Sequence, residues 1–517
     1  MNEKPQTIRL FVFKILHDKQ HSCRIKCSMD GFSSFFAILM LCAGLFLSVR
    51  INFFQFTHLG CAIKTALGLG QRRAAENVRR KQKSDASGVT PFQALSSALG
   101  GSIGTANIAG VASAIAIGGA GAVFYMWLAA LVGMGVKFCE IVLALRYREK
   151  RGGQWCGGAM LYIEKGFRKS NTGSRFLQSV SKPLAAGFAL FGLLASSVGT
   201  PLVQSNTIAM SVNDAVLLFL PKAEQKTVCI IAGAVTAALV GIVILGGIQR
   251  IGKASEIIVP FMAIGYIAIC IIVLSRFGSR ILPAFRDIFS GALGIKQAVG
   301  GAAGFGAARA LRIGMARGVY SNEAGVGSAP MAHACANTND PVKQGMYGIF
   351  EVFADTIVMC TMTALVVLAS GIPLQAGGEI SGTSIALRAF NRSSGADNRH
   401  FSCGFNAIVC VHIPARVGGL RNAMCQISFR QKSAVTILHF VHGFDICGCI
   451  DEGGLCMDGR GNAQLSHGSA EHACSSCAES GGAAGNCFCL KPKNRDACLK
   501  YFIFAFRYLL FPDFDAK

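Results

Sequence analysis

The chain has 517 residues, 52% of them hydrophobic and only 15% charged, against about 25% charged in an ordinary soluble domain. That balance excludes a typical soluble globular protein and points to lipid. The net charge of +23 does not form one basic face. It sits in loops between apolar stretches, which excludes a nucleic-acid binder and fits a membrane protein.

Residues 1–28 carry Lys and Arg throughout and lack an apolar run followed by small residues, so no signal peptide is read there. Seven apolar segments follow, at Phe35–Ser48, Phe92–Ile117, Ala122–Leu145, Leu184–Val212, Val228–Leu245, Ile257–Leu274 and Gly345–Ala369. A helical span of the bilayer needs about 20 apolar residues. The first segment reaches that length by including its neighbours on both sides. The Arg309 region adds a candidate broken helix. Arg72, Arg73, Arg79, Arg80, Lys81 and Lys83 crowd one loop, and Arg146, Arg148, Lys150, Arg151, Lys165, Arg168 and Lys169 crowd the next. Two helices separate these loops, so the positive-inside rule makes their shared side cytoplasmic. The basic residues before Gly31 then fall on the opposite side, against that rule.

Leu99-Gly-Gly-Ser-Ile-Gly-Thr-Ala-Asn-Ile-Ala-Gly110 places four glycines, a Ser, a Thr and an Asn within one span. Backbone groups freed in hydrocarbon are costly, so a helix breaks there only where protein, water or ligand satisfies them. Carriers use such breaks to bring helix ends and bare carbonyls to a midplane site. Close packing of small residues between helices is the alternative. On the third span, Lys137 and Glu140 lie three apart on one face and are expected to pair as a structural element. A second interruption, Val198-Gly-Thr-Pro-Leu-Val-Gln-Ser-Asn-Thr207, brings Gln204 and Asn206 to membrane depth, for substrate or for an interhelical hydrogen bond. Further on, Arg309, Arg312 and Arg317 read as interfacial anchors. Ser321-Asn322-Glu323 with Gly325 and Gly327 reads as a capped helix break or a plain loop. Asp355 is a carboxylate at membrane depth, placed for function or for pairing with a neighbouring helix.

No Walker loop after a strand, no His-Glu-x-x-His and no strand-to-helix Gly-x-Ser-x-Gly elbow is read, so no enzyme and no ATP-driven pump is expected. Hydropathy changes near residue 390. Eleven of the 21 cysteines lie between Cys403 and Cys498, including Cys447-Gly-Cys449, Cys474-Ser-Ser-Cys477 and Cys487-Phe-Cys489, with His442, His467 and His472 nearby. A zinc-binding tail, a disulfide-rich domain or a shifted reading frame would each produce this segment.

Taken together these stretches resemble the alanine or glycine:cation symporters. Gly104-Thr-Ala-Asn-Ile-Ala-Gly-Val-Ala112 is similar to that family's Gly-Thr-Gly-Asn-Ile-Ala-Gly-Val-Ala. Met134–Glu140, Gly157–Glu164, Gln204–Asn206, Gly247–Gly252, Val259–Met262, Ala316–Gly325, Gly327–His333 and Phe350–Ala364 follow in the same order. The resemblance covers residues 35–390. It implies an all-α polytopic membrane protein with leucine-transporter-like inverted five-helix repeats after an extra N-terminal helix, the second repeat being incomplete. It also implies sodium-coupled symport of a small neutral amino acid, alanine or glycine, by alternating access in the cytoplasmic membrane. Sodium is the coupling ion and no cofactor is called for. Gly104, Thr105, Asn107 and Gln204 would bind substrate, and Thr105 and Asn107 sodium. Ala106 stands where the family has Gly, which removes the freedom for positive φ at the break. Ser381–Phe390 resembles the family's loop before further helices, and the tryptophan that closes the family's pocket is missing. The resulting division is an unmatched segment 1–30, a transmembrane symporter domain 31–390 and a Cys-rich segment 391–517. A truncated or frameshifted remnant that does not transport is the alternative.

Overall fold

The structure, a computed structural model, describes residues 38–69, 88–151, 154–169, 175–195, 200–245, 247–294, 303–373 and 382–392, and short strands at 455–457, 463–465 and 488–489. The first basic loop and most of the Cys-rich segment, including Cys474 and Cys477, lie outside the described residues. Within that segment Leu455–Met457 pairs antiparallel with both Ala463–Leu465 and Phe488–Cys489.

Helices make up nearly everything else. They are α1 (Ile38–Arg50), α2 (Leu59–Ala66), α3 (Pro91–Ser102), α4 (Val111–Gly118), α5 (Gly121–Tyr147), α6 (Ala159–Lys169), α7 (Arg175–Leu194) and α8 (Thr200–Phe219). After them come α9 (Gln225–Leu245), α10 (Gly247–Arg276), α11 (Gly278–Ala292), α12 (Ala303–Asn322), α13 (Ser328–Ala334), α14 (Pro341–Val352), α15 (Thr361–Ser370) and α16 (Gly382–Asn391). A π turn at Ala106–Gly110 joins α3 to α4, and a π segment at Phe353–Cys360 joins α14 to α15 into one rod.

Three of these rods, Gly121–Tyr147, Arg250–Arg276 and Pro341–Ser370, are long and apolar enough to cross a bilayer alone, and α3 with α4 does so as a pair bent by 46°. The stretch expected as a single span at Leu184–Val212 is divided between α7 and α8, with Pro201 in the first turn of α8. Proline lacks an N–H and fits a first helical turn better than an interior. Ser381–Phe390, expected as a loop, is mostly helix α16, and it is buried: Phe390 is fully covered and packs near Tyr266.

Helix α5 is the central pillar, packed by α11, α12, α13 and α14. Small residues let it be approached from several sides. A methyl added at Gly314 of α12 would meet the Ala122 carbonyl oxygen, and one at Gly318 would lie 2.8 Å from Ala129 Cβ. On the other flank, methyls at Gly345 and Gly348 of α14 would run into Phe138 and Ile141. By contrast α10 turns Ile257, Phe261, Ile264 and Ile271 outward, as a lipid-facing helix should, because hydrocarbon solvates apolar side chains as well as a protein core does.

At the end of α5, the Arg148 guanidinium donates to the carbonyls of Ala334, Ala336 and Thr338 and lies 3.9 Å from the centre of the Trp155 ring. It thereby caps the chain leaving α13. Beside it, the Lys165 ammonium, at 2.6 Å, and the Arg151 guanidinium hold the Glu149 carboxyl below its usual range.

Gly314→Ala forces a methyl against backbone that cannot rotate away, and overpacking of this kind costs about 1–3 kcal/mol. We expect it to lower the melting temperature of the detergent-purified chain. Gly187→Ala, where an added methyl meets nothing within 4 Å, is expected to leave it unchanged or raise it. Equal melting of the two variants would contradict the close α5–α12 approach.

Candidate functional site

Helix α3 starts with a reciprocal cap. The Gln93 N–H donates to Thr90 Oγ1 at 3.1 Å, the Thr90 N–H donates to Gln93 Oε1 at 3.0 Å, and Pro91 occupies the first turn. It stops at Ile103, whose backbone is extended (φ −69°, ψ 116°). Asn107 then bridges the break, its Oδ1 accepting the Gly104 N–H at 2.6 Å while its own N–H donates to the Gly104 carbonyl at 3.0 Å. The glycine-rich run thus breaks where expected. Ala106 opens the π turn without entering the positive-φ region, so the missing glycine introduces no strain.

The second break follows α12. Glu323 (φ 52°), Gly325 (φ 83°) and Gly327 (φ 85°) are all left-handed, a conformation glycine adopts freely. Its freed N–H groups have partners. Ala324 donates to Asn322 Oδ1 at 3.0 Å and Gly325 donates to Glu140 Oε2, on α5, at 3.1 Å. The Ser328 hydroxyl donates to Glu323 Oε2 at 2.5 Å. Glu140 is therefore the cap of a neighbouring broken helix. Lys137, expected to pair with Glu140, has its ion pair with Glu351, Nζ to Oε1 3.2 Å. The reason is geometric: α14 packs on the face of α5 that carries Lys137, while the break packs on the part that carries Glu140.

Asp355 lies between the breaks, fully buried. Its Oδ1 accepts from Asn107 Nδ2 at 2.7 Å, and its Oδ2 accepts from the Ser321 and Thr356 hydroxyls, each at 2.8 Å. Asn107 Nδ2 also lies 3.1 Å from Ser321 Oγ, 3.1 Å from the Asp355 carbonyl oxygen and 3.4 Å from Cys360 Sγ. Three segments therefore converge: the first break with its π turn, the end of α12 and the π segment. Every side chain hydrogen-bonded to the carboxylate donates to it. A buried carboxylate with hydroxyl oxygens around it is a set of oxygen ligands of the kind hard cations take.

Of the residues expected to form the site, Gly104, Thr105 and Asn107 are together at the first break, with Thr105 buried just ahead of the π turn. Gln204 is in α8 and its side chain lies outside the described residues. Arg309 is exposed on α12, and Arg312 and Arg317 are half-buried there. Ser321, Thr356 and Cys360 were not singled out from sequence as contacts of Asn107 or Asp355. Ser321 stood inside the Ser321–Gly327 stretch read as a capped break or a plain loop, and the other two carry no signal of their own in an apolar run.

The family described as the sodium:alanine symporter family matches residues 25–419. The chain belongs to that family. The match reaches past Phe390, where the resemblance read from motifs ended, into the Cys-rich segment. Among relatives, a sodium/alanine symporter of Methanococcus maripaludis, AgcS, is 39% identical over 68% of this chain and 72% of its own length. A probable sodium/glutamine symporter of Bacillus subtilis, GlnT, is 32% identical over 82% of this chain and 81% of its own. A solved structure, MhsT in complex with L-phenylalanine, aligns with 69% of this chain and 79% of that chain at a TM-score of 0.49 and 14% identity. Family membership makes this chain a multi-pass membrane protein of cation-coupled amino-acid symport, and its apolar helices agree with that.

Asp355→Asn keeps the shape of the site but replaces an acceptor-only group with an amide facing three donors. Leaving buried donors without acceptors costs about 1–3 kcal/mol. We expect a lower melting temperature for the variant in detergent. A variant that melts with the parent would show that these bonds do not hold the two breaks together.

Proposed function

We propose that this chain takes up a small neutral amino acid, alanine or glycine, together with sodium across the cytoplasmic membrane by alternating access. The observation that carries the reading is Asp355, an acceptor buried where both broken helices meet and surrounded by donors from Asn107, Ser321 and Thr356. In this reading the cation binds at Asp355. The Ser321 and Thr356 hydroxyls turn their protons away and offer oxygens to it. Thr105 and Asn107 shape the floor of that site and are the residues we assign to both sodium and substrate. The carbonyls at the C-terminal end of α3 carry partial negative charge and suit the substrate's ammonium group, while backbone N–H groups near Gly104 suit its carboxylate. Gln204 completes the substrate contacts.

The arrangement expected from the resemblance, two inverted five-helix repeats after an extra first helix, is supported by a crossed relation between the breaks. The first is tied to Asp355, in the rod that follows the second. The second is tied to Glu140, in the rod that follows the first. Two repeats facing each other would produce this exchange. Residues 31–390 are read as the working transmembrane unit. The preference for a small side chain rests on likeness to the Methanococcus symporter, and the Bacillus relative makes glutamine the competitor to exclude.

Uptake of labelled alanine by vesicles holding the full chain, with sodium or with choline outside, tests the reading. We expect uptake to need inward sodium, to be competed by unlabelled glycine and to be insensitive to glutamine. Equal uptake in sodium and choline would overturn sodium coupling. Stronger competition by glutamine than by glycine would overturn the substrate assignment.

A further inference from the structure

Apart from tyrosines and cysteines, the buried ionisable side chains among the described residues are Lys137, Glu140, His333, Glu351 and Asp355, and they form one cluster. Gln344 Nε2 lies 2.7 Å from His333 Nδ1, so with the Gln344 amide donating there, the ring proton sits on His333 Nε2, 3.4 Å from Glu351 Oε2. Glu351 Oε1 is 3.2 Å from Lys137 Nζ. Glu351 and Asp355 are four residues apart, on one face of the rod and about 6 Å apart along it. Glu351 thus stands between Lys137, which it contacts, and Asp355, one helical turn further along the rod.

Two features separate this lysine from an ordinary buried ion pair. The ammonium is wholly shielded, and its one ion-pair contact, Glu351 Oε1 at 3.2 Å, is off line. An ammonium on a four-carbon stem has three donors to place and the torsional freedom to place them elsewhere. It is also the single lysine or arginine among three buried carboxylates, Glu140, Glu351 and Asp355, with His333 the other basic side chain, beside Glu351.

We propose that Lys137 is a tethered internal cation that sets the affinity of the Asp355 site for its coupling ion, its charge being divided between Glu351 and Asp355. Glu351 draws the ammonium away from the ion site and so leaves Asp355 available. Without Glu351, the full charge of Lys137 bears on Asp355 and opposes a second cation there. Without either partner, Asp355 has no competitor and holds the ion more tightly. The proposal rests on the reading of Asp355 as the cation site.

The test is the sodium concentration giving half-maximal alanine uptake in vesicles, with radioactive sodium binding to the purified full chain as a second readout. Glu351→Gln is expected to raise that concentration about tenfold or more, and the double variant Lys137→Met with Glu351→Gln to bring it several-fold below the parent. Half-saturation by alanine at saturating sodium is expected to stay within about twofold in both. A purely structural pair would lower the amount of folded protein or the maximal rate and leave the sodium dependence where it was, and that outcome overturns the proposal. Should Glu351→Gln fail to fold, the double variant decides alone: a sodium requirement equal to or above the parent's counts against the lysine. If the parent itself takes up alanine without sodium, the reading of the function fails and this inference with it. A sodium-dependent parent with unshifted variants removes only the role of Lys137.

Discussion

Two breaks in membrane-buried helices can coexist only if something other than water completes their backbone, and here much of that is done by carboxylates borrowed across the molecule. Glu140 of α5 accepts the Gly325 N–H of the second break, and Asp355 anchors Asn107, whose own oxygen accepts the Gly104 N–H of the first. Each break thus depends on the rod that follows the other. An unpaired backbone group in hydrocarbon costs several kcal/mol, so neither broken helix is stable without its opposite number. Any motion that separates the rods therefore has to carry both breaks with it or expose them to water.

The close helix approaches serve the same constraint. Gly314 and Gly318 bring α12 against α5, and Gly345 and Gly348 bring α14 against its other flank. With larger residues at these contacts the axes would stand further apart, and the Glu140 carboxylate would no longer reach Gly325. The small-residue positions and the polar contacts are consequently one design, since hydrogen bonds weaken steeply with distance and misalignment.

Much of this was legible in the sequence where a residue's local chemistry forces an outcome. Glycines with Ser, Thr and Asn in an apolar run cannot continue a helix cheaply, which placed a break at Gly104 and a break or plain loop around Glu323, and an aspartate at membrane depth singled out Asp355. Partner choice was not legible. Asn107 and Asp355 are 248 residues apart, and nothing in the spacing of either run names the other. The expected Lys137–Glu140 pair shows the same limit: helical spacing makes those two neighbours, while the neighbouring helices decide which charge each one meets. Ser381–Phe390 reads as polar and short, yet Gly382 sits so close to the Ala109 carbonyl that an added methyl would collide with it. The helix is made by burial against the π turn and α4, and a tertiary contact of that kind leaves no periodic signal.

The distribution of donors explains why charge, and not hydrogen bonding, governs the centre of the molecule. Asn107, Ser321 and Thr356 satisfy the lone pairs of Asp355 without supplying a positive charge. Such bonds orient the carboxylate and leave its demand for a cation unmet. Lys137 meets part of that demand, but Glu351 and Glu140 claim the same ammonium. Hydrogen bonds fix where the carboxylate sits, and in the proposed arrangement the contest for one lysine sets how strongly it holds a cation. At the proposed cation site, an ion at Asp355 would meet the Ser321 and Thr356 oxygens once those hydroxyls turn, and its affinity would depend on the charge that Glu351 holds one turn away on the same rod.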